Sequence, residues 1–231
     1  MPSLHETAYP RLRASVTAKD LADVYTPTVD EISLAESVSR GFHAKVCFLV
    51  LLKTFQRLGY FVLLRDAPDQ IVGHVAKHAG GLPMSSDLAA YDASGTRRRH
   101  VLTIRGHLKV KPYSESGEAE ELLTKVLREA SQTKEDLADI INVGIEELVH
   151  HRFELPAFRT LHDKAQAIRA DVNTTIYRRV AESIGATGRG AIDELFIVDD
   201  SSATPWQVAK EDPGPPTVSQ LRKGAAAMPR C

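Results

Sequence analysis

Apolar residues recur along most of this chain at intervals of three and four, the period of a helix buried along one side, and alternating runs that would suit strands are scarce. The pattern predicts an all-α protein, a multi-helix bundle. Thr17 to Asp20 opens a short capped helix that runs through Tyr25, and Thr28 with Glu31 forms a capping box ahead of Ile32 and Leu34. Residues 43–58 are the most apolar stretch. There Val46, Phe48, Leu49, Val50, Leu51 and Leu52 leave hardly any polar face before Lys53, Gln56 and Arg57, which predicts a central core helix stopped at Gly59. Pro68 begins a further helix with Ile71, Val72, Val75 and Ala76, ended by Gly80 and Gly81. The segment 97–111 follows as a helix capped by Ser94.

Lys111, Pro112 and Tyr113 followed by 114–117 make a break, which places a boundary between a first helical subdomain, 1–112, and a second, 113–200. In the second, 118–130 turns Leu122, Leu123, Val126 and Leu127 inward, and Thr133 to about Arg152 forms an amphipathic helix with Glu135, Asp139, Glu146 and Glu147 outside. A tight turn through Phe153, Glu154 and Leu155 leads to Pro156 at a helix N1 position, so the two helices resemble a helix-turn-helix pair. A final helix pair is expected over Asp171 to Ile184 and Gly190 to Leu195. From Asp199 the chain reads Ser-Ser-Ala-Thr-Pro-Trp and then Asp-Pro-Gly-Pro-Pro, so 201–231 is expected to be a Pro-rich linker and a disordered, truncated tail.

Charge changes the picture at one place. Residues 97–111 carry six Lys and Arg side chains and no carboxylate, although the whole chain has a net charge of −1. Wound as a helix, they put Val101, Ile104 and Leu108 on one stripe, Arg98 and Arg105 along its edge, and Arg99, Thr103 and His107 opposite, with Lys109 at the end. A packed back and a cationic front suit a polyanion, and residues 1–112 as a whole are basic, +5 against −8 for 113–200. The second candidate surface is the outer side of the helix after Pro156: Arg159, Thr160, Asp163 and Lys164, with Arg152 at the turn. The plain alternative is that these cations pair with acidic helices of the same molecule or of a partner, which would make the chain a protein-interaction or regulatory module. The opposite charges of the two parts also permit a homodimer.

Other chemistry finds little support. The two cysteines, Cys47 in an apolar run and Cys231 at the end, make no disulfide framework and fit a reducing cytoplasm. No signal segment is evident, and the longest apolar run, Val46 to Leu52, is far too short to span a bilayer. His74 and His78 share a helix face at i, i+4, but Val75 stands where a zinc-protease motif has its glutamate, and no third ligand is indicated. His150 and His151 are adjacent and should point apart, near a helix C-terminus. No phosphate loop, nucleophile elbow or Cys-His ligand set is present, so neither a catalytic residue, a metal, a cofactor nor a small-molecule substrate is expected.

Four ordered motifs, Leu21-Ala-Asp-Val-Tyr25, Phe48-Leu-Val-Leu-Leu-Lys-Thr-Phe-Gln-Arg-Leu-Gly-Tyr-Phe61, Tyr91-Asp-Ala-Ser-Gly-Thr-Arg-Arg-Arg-His100 and Glu154-Leu-Pro-Ala-Phe158, together resemble the N-terminal region of the large replicative transposases of the Tn-three family. The resemblance runs from about His5 to Thr217. It implies a helical region that recognises the transposon's terminal inverted repeats in double-stranded DNA, at the bacterial nucleoid. The contact residues it implies are Arg97, Arg98, Arg99, His100 and Arg105 in the basic segment, and Arg152, Arg159 and Lys164 in the second unit. In that family an RNase H-like domain with an acidic triad performs strand transfer. Here the sequence after Arg222 departs into Lys223-Gly-Ala-Ala-Ala, so the expectation is a truncated, DNA-binding chain without catalysis.

Overall fold

Ten successive side chains, Val46 to Phe55, are buried on one helix, α3 (Phe42–Leu58), because the rest of the first unit wraps it on all sides. The helix ends where Gly59 takes a left-handed conformation (φ 74°), and a Cβ there would stand 3.3 Å from the Leu155 side chain. The computed structural model describes residues 6–81, 88–114, 117–198 and 204–210, and the chain divides into two compact units, Met1–Val172 and Asn173–Cys231. The fold is all-α, with a single isolated bridge, Lys111 to Phe153, among the described residues.

Around α3 stand the short helix α1 (Ala18–Asp20), which runs into a π-helical turn (Leu21–Tyr25), then α2 (Val29–Val38), α4 (Asp69–His78), α5 (Leu88–Asp92) and α6 (Gly95–Leu108). The expected caps are present: Thr17 accepts from Asp20 N–H, and Thr28 and Glu31 form the reciprocal box. Glu31 does more than cap. It is 6% exposed and meets Lys53, 8% exposed, at 3.3 Å, while Gln56 donates to its other oxygen at 2.7 Å. Burial pushes the Glu31 carboxyl up, but the Thr28 N–H, the Gln56 amide and the Lys53 charge outweigh it and hold the group below its ordinary range. Lys53, expected at the exposed edge of the core helix, is therefore an interior residue.

A second apolar cluster is built on α7 (Glu118–Ala130), α8 (Leu137–His150) and the first turns of α9 (Phe158–Ser183). The short connection makes α7 and α8 a helical hairpin, and Gly144 lets them close: a Cβ there would stand 2.9 Å from Leu123 and 3.1 Å from Leu127. The boundary expected at residue 112 falls inside the first unit, between the two apolar clusters. An N-terminal strap crosses both, with Tyr9 in the second cluster and Leu12 and Val16 against the first.

Three expectations change. Helix α8 starts at Leu137 rather than Thr133, because the Asp136 carboxylate caps the Ala138 N–H. The connection to α9 spans residues 151–157 and is not a tight helix-turn-helix turn, since Leu155 N–H reaches back to the Gly59 carbonyl and Glu154 N–H to that of Lys111. Helix α9 also starts at Phe158, two residues past Pro156, and runs unbroken through the expected joint near residue 170, where no Gly or Pro interrupts it.

In the second unit, α10 (Ala186–Glu194) is followed by α11 (Pro205–Ala209). The latter lies where no regular structure was expected. Thr204 and Gln207 supply a reciprocal capping box, Gln207 N–H to the Thr204 hydroxyl and Thr204 N–H to the Gln207 amide oxygen, with Pro205 at N1. The remainder of the linker and tail, 199–203 and 211–231, lies outside the described residues.

Candidate nucleic-acid interface

Helix α6 has no acidic side chain, and what its length presents outward follows from its phase against α3. Ile104 is fully buried and Val101 and Leu108 pack on the first cluster, so Arg98, Arg99, Leu102, Gly106, His107 and Lys109 face out. Ser94 caps it as expected, accepting from Arg97 N–H at 3.1 Å. At 63% exposure Leu102 is an apolar side chain among cations, and Gly106 sits mid-helix with nothing within 4 Å of the place a Cβ would take.

The candidate residues separate into a free group and an internally engaged one. Arg98, Arg99 and Lys109 are exposed and form no ion pair with a described residue; Arg99 donates only to the Thr96 hydroxyl. Arg97 turns inward, donating to the Val62 carbonyl and standing 3.4 Å from Asp92, which itself accepts from the Leu64 and Arg65 N–H groups. It is a clasp between α6 and the loop before α4. Arg105 is held by Glu154 at 2.6 Å and lies over the Phe61 ring. Lys164 is held by Glu120 at 2.6 Å. Arg159 and Thr160 are exposed on the first turn of α9, with Asp163 3.5 Å from the Arg159 guanidinium.

His100 needs a correction. The resemblance implied a contact residue, but it is 2% exposed, edge-on to Phe48, and its two ring nitrogens meet the hydroxyls of Tyr91 (2.8 Å) and Ser39 (3.3 Å). A neutral imidazole satisfies both, donating at one nitrogen and accepting at the other. Burial, with the charge of Arg99 added, lowers its pKa from 6.5 to about 4. A histidine depressed in the folded state leaves the unfolded chain binding more protons between those values. Stability is therefore complete above about pH 6.5 and falls by roughly 3 kcal/mol as pH drops towards 4. An NMR titration should place the His100 midpoint near pH 4, and a midpoint at the ordinary value would contradict its core role.

A junction that no local sequence pattern announces completes the surface. Helices α6 and α8 end side by side, tied by Lys111 N–H to the Arg152 carbonyl at 2.9 Å and by Glu154 N–H to the Lys111 carbonyl at 2.9 Å. Both ends are left-handed caps. The Val110 N–H reaches the Arg105 carbonyl and the Phe153 N–H reaches that of Leu148, and the residues in the left-handed position are Lys109 (φ 54°) and Arg152 (φ 58°). They are the positive-φ residues other than glycine among those described. Each costs about 1 kcal/mol relative to glycine, and together they set two long cations at one spot. Arg152 leans on the neighbouring helix end, its guanidinium 3.5 Å from the Leu108 carbonyl.

Elsewhere the chemistry is quiet. Burial pushes the Cys47 thiol up to about 12, so no thiolate forms at neutral pH. The His74 and His78 rings lie 4.2 Å apart, with His74 against the Thr26 hydroxyl and His78 against the His74 carbonyl. Among the described residues no three His, Cys, Asp or Glu side chains gather as a metal site, and no described helix is long and apolar enough to cross a membrane. The expectation that His150 and His151 point apart fails: His151 lies past the helix end and its ring comes within 5.1 Å of that of His150.

The model of a family described as Domain of unknown function (DUF4158) matches residues 2–168. The chain belongs to this family. A comparison with curated proteins finds no match. The DUF4158 match takes in α1 to α8 and the start of α9, and so both the outward face of α6 and the Lys109–Arg152 junction.

Proposed function

We propose that this chain binds double-stranded DNA through the outward face of α6 together with Arg152, and that it is the part of a Tn-three-family replicative transposase that recognises the terminal inverted repeats. No strand-transfer step is assigned to it. One observation carries the reading: Arg98, Arg99, Lys109 and Arg152 stand exposed without an ion pair to any described residue, on a helix free of carboxylates and at a junction where backbone strain is accepted to place two of them. Such cations neutralise backbone phosphates and set affinity, while the side chains between them, Leu102, Thr103 and His107, are left to meet base edges. The transposase assignment rests on the four sequence motifs.

Gly106 sharpens the test. A glycine inside a helix weakens it by about 1 kcal/mol against alanine, and no internal neighbour crowds this one. Close approach of a duplex backbone supplies the reason. Gly106→Ala is expected to raise thermal stability while weakening duplex binding several-fold in fluorescence anisotropy; unchanged binding would remove α6 from the interface. Selection from a random duplex library should then enrich one sequence, the terminal repeat.

A protein-interaction module is the second reading, favoured by the exposed Ile176, Tyr177, Val180, Ile192, Phe196 and Trp206 of the second unit. Chromatography with and without duplex separates the two: co-elution with DNA supports the first reading, and a DNA-independent partner or self-association the second.

A further inference from the structure

A cleft of about 520 Å³ lies where the segments after α3 and α6 meet the start of α9, lined by the rings of Tyr9, Tyr60, Phe61, Tyr113 and Phe158. Its size is that of small-ligand clefts, ~300–1,000 Å³. In a chain only 6% aromatic, five rings converge on one opening, so a ligand there meets flat π faces. Three of them form a fixed wall. Tyr9 stacks on Tyr60 with centroids 5.3 Å apart and meets Phe158 edge-on at 5.5 Å, and the two phenol hydroxyls donate to the Pro156 carbonyl (2.9 Å) and the Pro10 carbonyl (3.1 Å). Tyr113 differs: partly buried against the second cluster, it makes no ring contact with another described aromatic residue.

The second, independent feature is polar. Arg105 lines the cleft from α6 and Glu154 from the segment before α9, and both Arg105 N–H groups that reach Glu154, from Nε at 3.1 Å and Nη2 at 2.6 Å, land on Oε2. Arg105 thereby acts as a positioning residue that holds the carboxylate still and leaves Oε1 as the atom to accept from a ligand. The rim is cationic. Lys109 follows Arg105 by one helical turn, Arg152 precedes Glu154 by two residues, and the 2.9 Å hydrogen bond from Glu154 N–H to the Lys111 carbonyl draws the two segments together.

We infer that this cleft binds an unpaired nucleobase of a DNA strand, stacked on Tyr113 and donating an exocyclic amine hydrogen to Glu154 Oε1, with its phosphate beside Lys109 and Arg152. The strand as source rests on the DNA-binding reading; the base-binding cleft does not. A flat ring with a donor on its edge satisfies the aromatic wall and the carboxylate at once, which an aliphatic or proline side chain cannot. The carboxylate also discriminates: cytosine presents an amine at C4, whereas uracil presents a carbonyl oxygen, which Oε1 repels. A paired base has its amine engaged and both faces stacked, so an intact duplex leaves the cleft empty.

NMR titration of the full chain with deoxycytidine monophosphate and with deoxyuridine monophosphate, at ionic strength held constant with chloride, follows the Tyr60 and Tyr113 ring resonances. Saturable shifts are expected with the first, at an affinity several-fold above the second. Tyr113→Leu, which keeps an apolar side chain against the second cluster, should weaken binding about 10-fold, the size of one base–aromatic stack. Glu154→Gln should level the two nucleotides, which a purely structural role would not do. Absence of saturable shifts with either nucleotide, or unchanged binding by Tyr113→Leu, would overturn the inference. A duplex carrying one unpaired cytosine, set against its fully paired parent, tests the source, and Tyr113 should move with the first alone. Duplex binding with Tyr113 unmoved would overturn the strand as source while the DNA-binding reading stands; mononucleotide binding without duplex binding would overturn that reading and make the ligand a free nucleotide.

Discussion

Replacing four cations, Arg98→Ala, Arg99→Ala, Lys109→Gly and Arg152→Gly, is expected to lower duplex affinity about 100-fold in dilute salt without unfolding the protein. The substitutions are chosen so that stability and binding move in opposite directions. Alanine is a better helix former than arginine at two exposed α6 positions, and glycine is the residue that a left-handed cap prefers, relieving φ of 54° and 58° at the other two. The melting temperature should hold or rise. If four phosphates are neutralised, log K falls with a slope near −3.6 against log salt, or about two decades between 50 and 200 mM, and the variant should lose most of that slope. A variant that melts higher yet binds like the parent would show that these side chains touch only water. The engaged cations behave differently: Arg97, Arg105 and Lys164 are tied to Asp92, Glu154 and Glu120, so their loss is expected to be felt in stability first.

Lys53→Met is expected to be the most damaging single change in the core, destabilising by roughly 3–5 kcal/mol at neutral pH because it leaves the Glu31 carboxylate buried without its cation. The Glu31→Gln/Lys53→Met pair should recover much of that loss, since no unpaired charge remains. The pH dependence follows from the direction of the Glu31 shift. A carboxyl whose folded pKa lies below its unfolded value stabilises fully above the unfolded pKa and loses that contribution as pH falls through the folded one. In Lys53→Met the cation that helped lower it is gone, so the penalty should shrink in acid as Glu31 takes up a proton. Urea denaturation at neutral and acidic pH checks both points; a penalty that is the same at both would argue against the charge as its origin.

Local chemistry explains how much of this was legible. Caps and periodicity are written in adjacent residues, so Thr28 with Glu31, Ser94 with Arg97, and the Gly59 stop appear at the expected places. The capping box at Thr204 and Gln207 was equally local, but the surrounding prolines masked it. What sequence could not carry is the pairing between distant segments. His100 lies in a run of arginines and reads as part of a cationic front, yet the helical phase set by Ile104 and Val101 turns it onto Phe48. Lys53 reads as the polar edge of an apolar helix, and only the return of α2 with Glu31 makes that edge interior. The junction of Lys109 with Arg152 depends on two helix ends meeting across 43 positions of chain.

The most direct test is an NMR titration of the full chain with a short duplex, following the side-chain Nε–Hε resonances of its arginines. Those of Arg98, Arg99 and Arg152 should shift together and saturate, while that of Arg105, held by Glu154, stays in place. Saturation without movement of those three, or no shift of any arginine at low salt, would contradict the assignment of the α6 face to DNA.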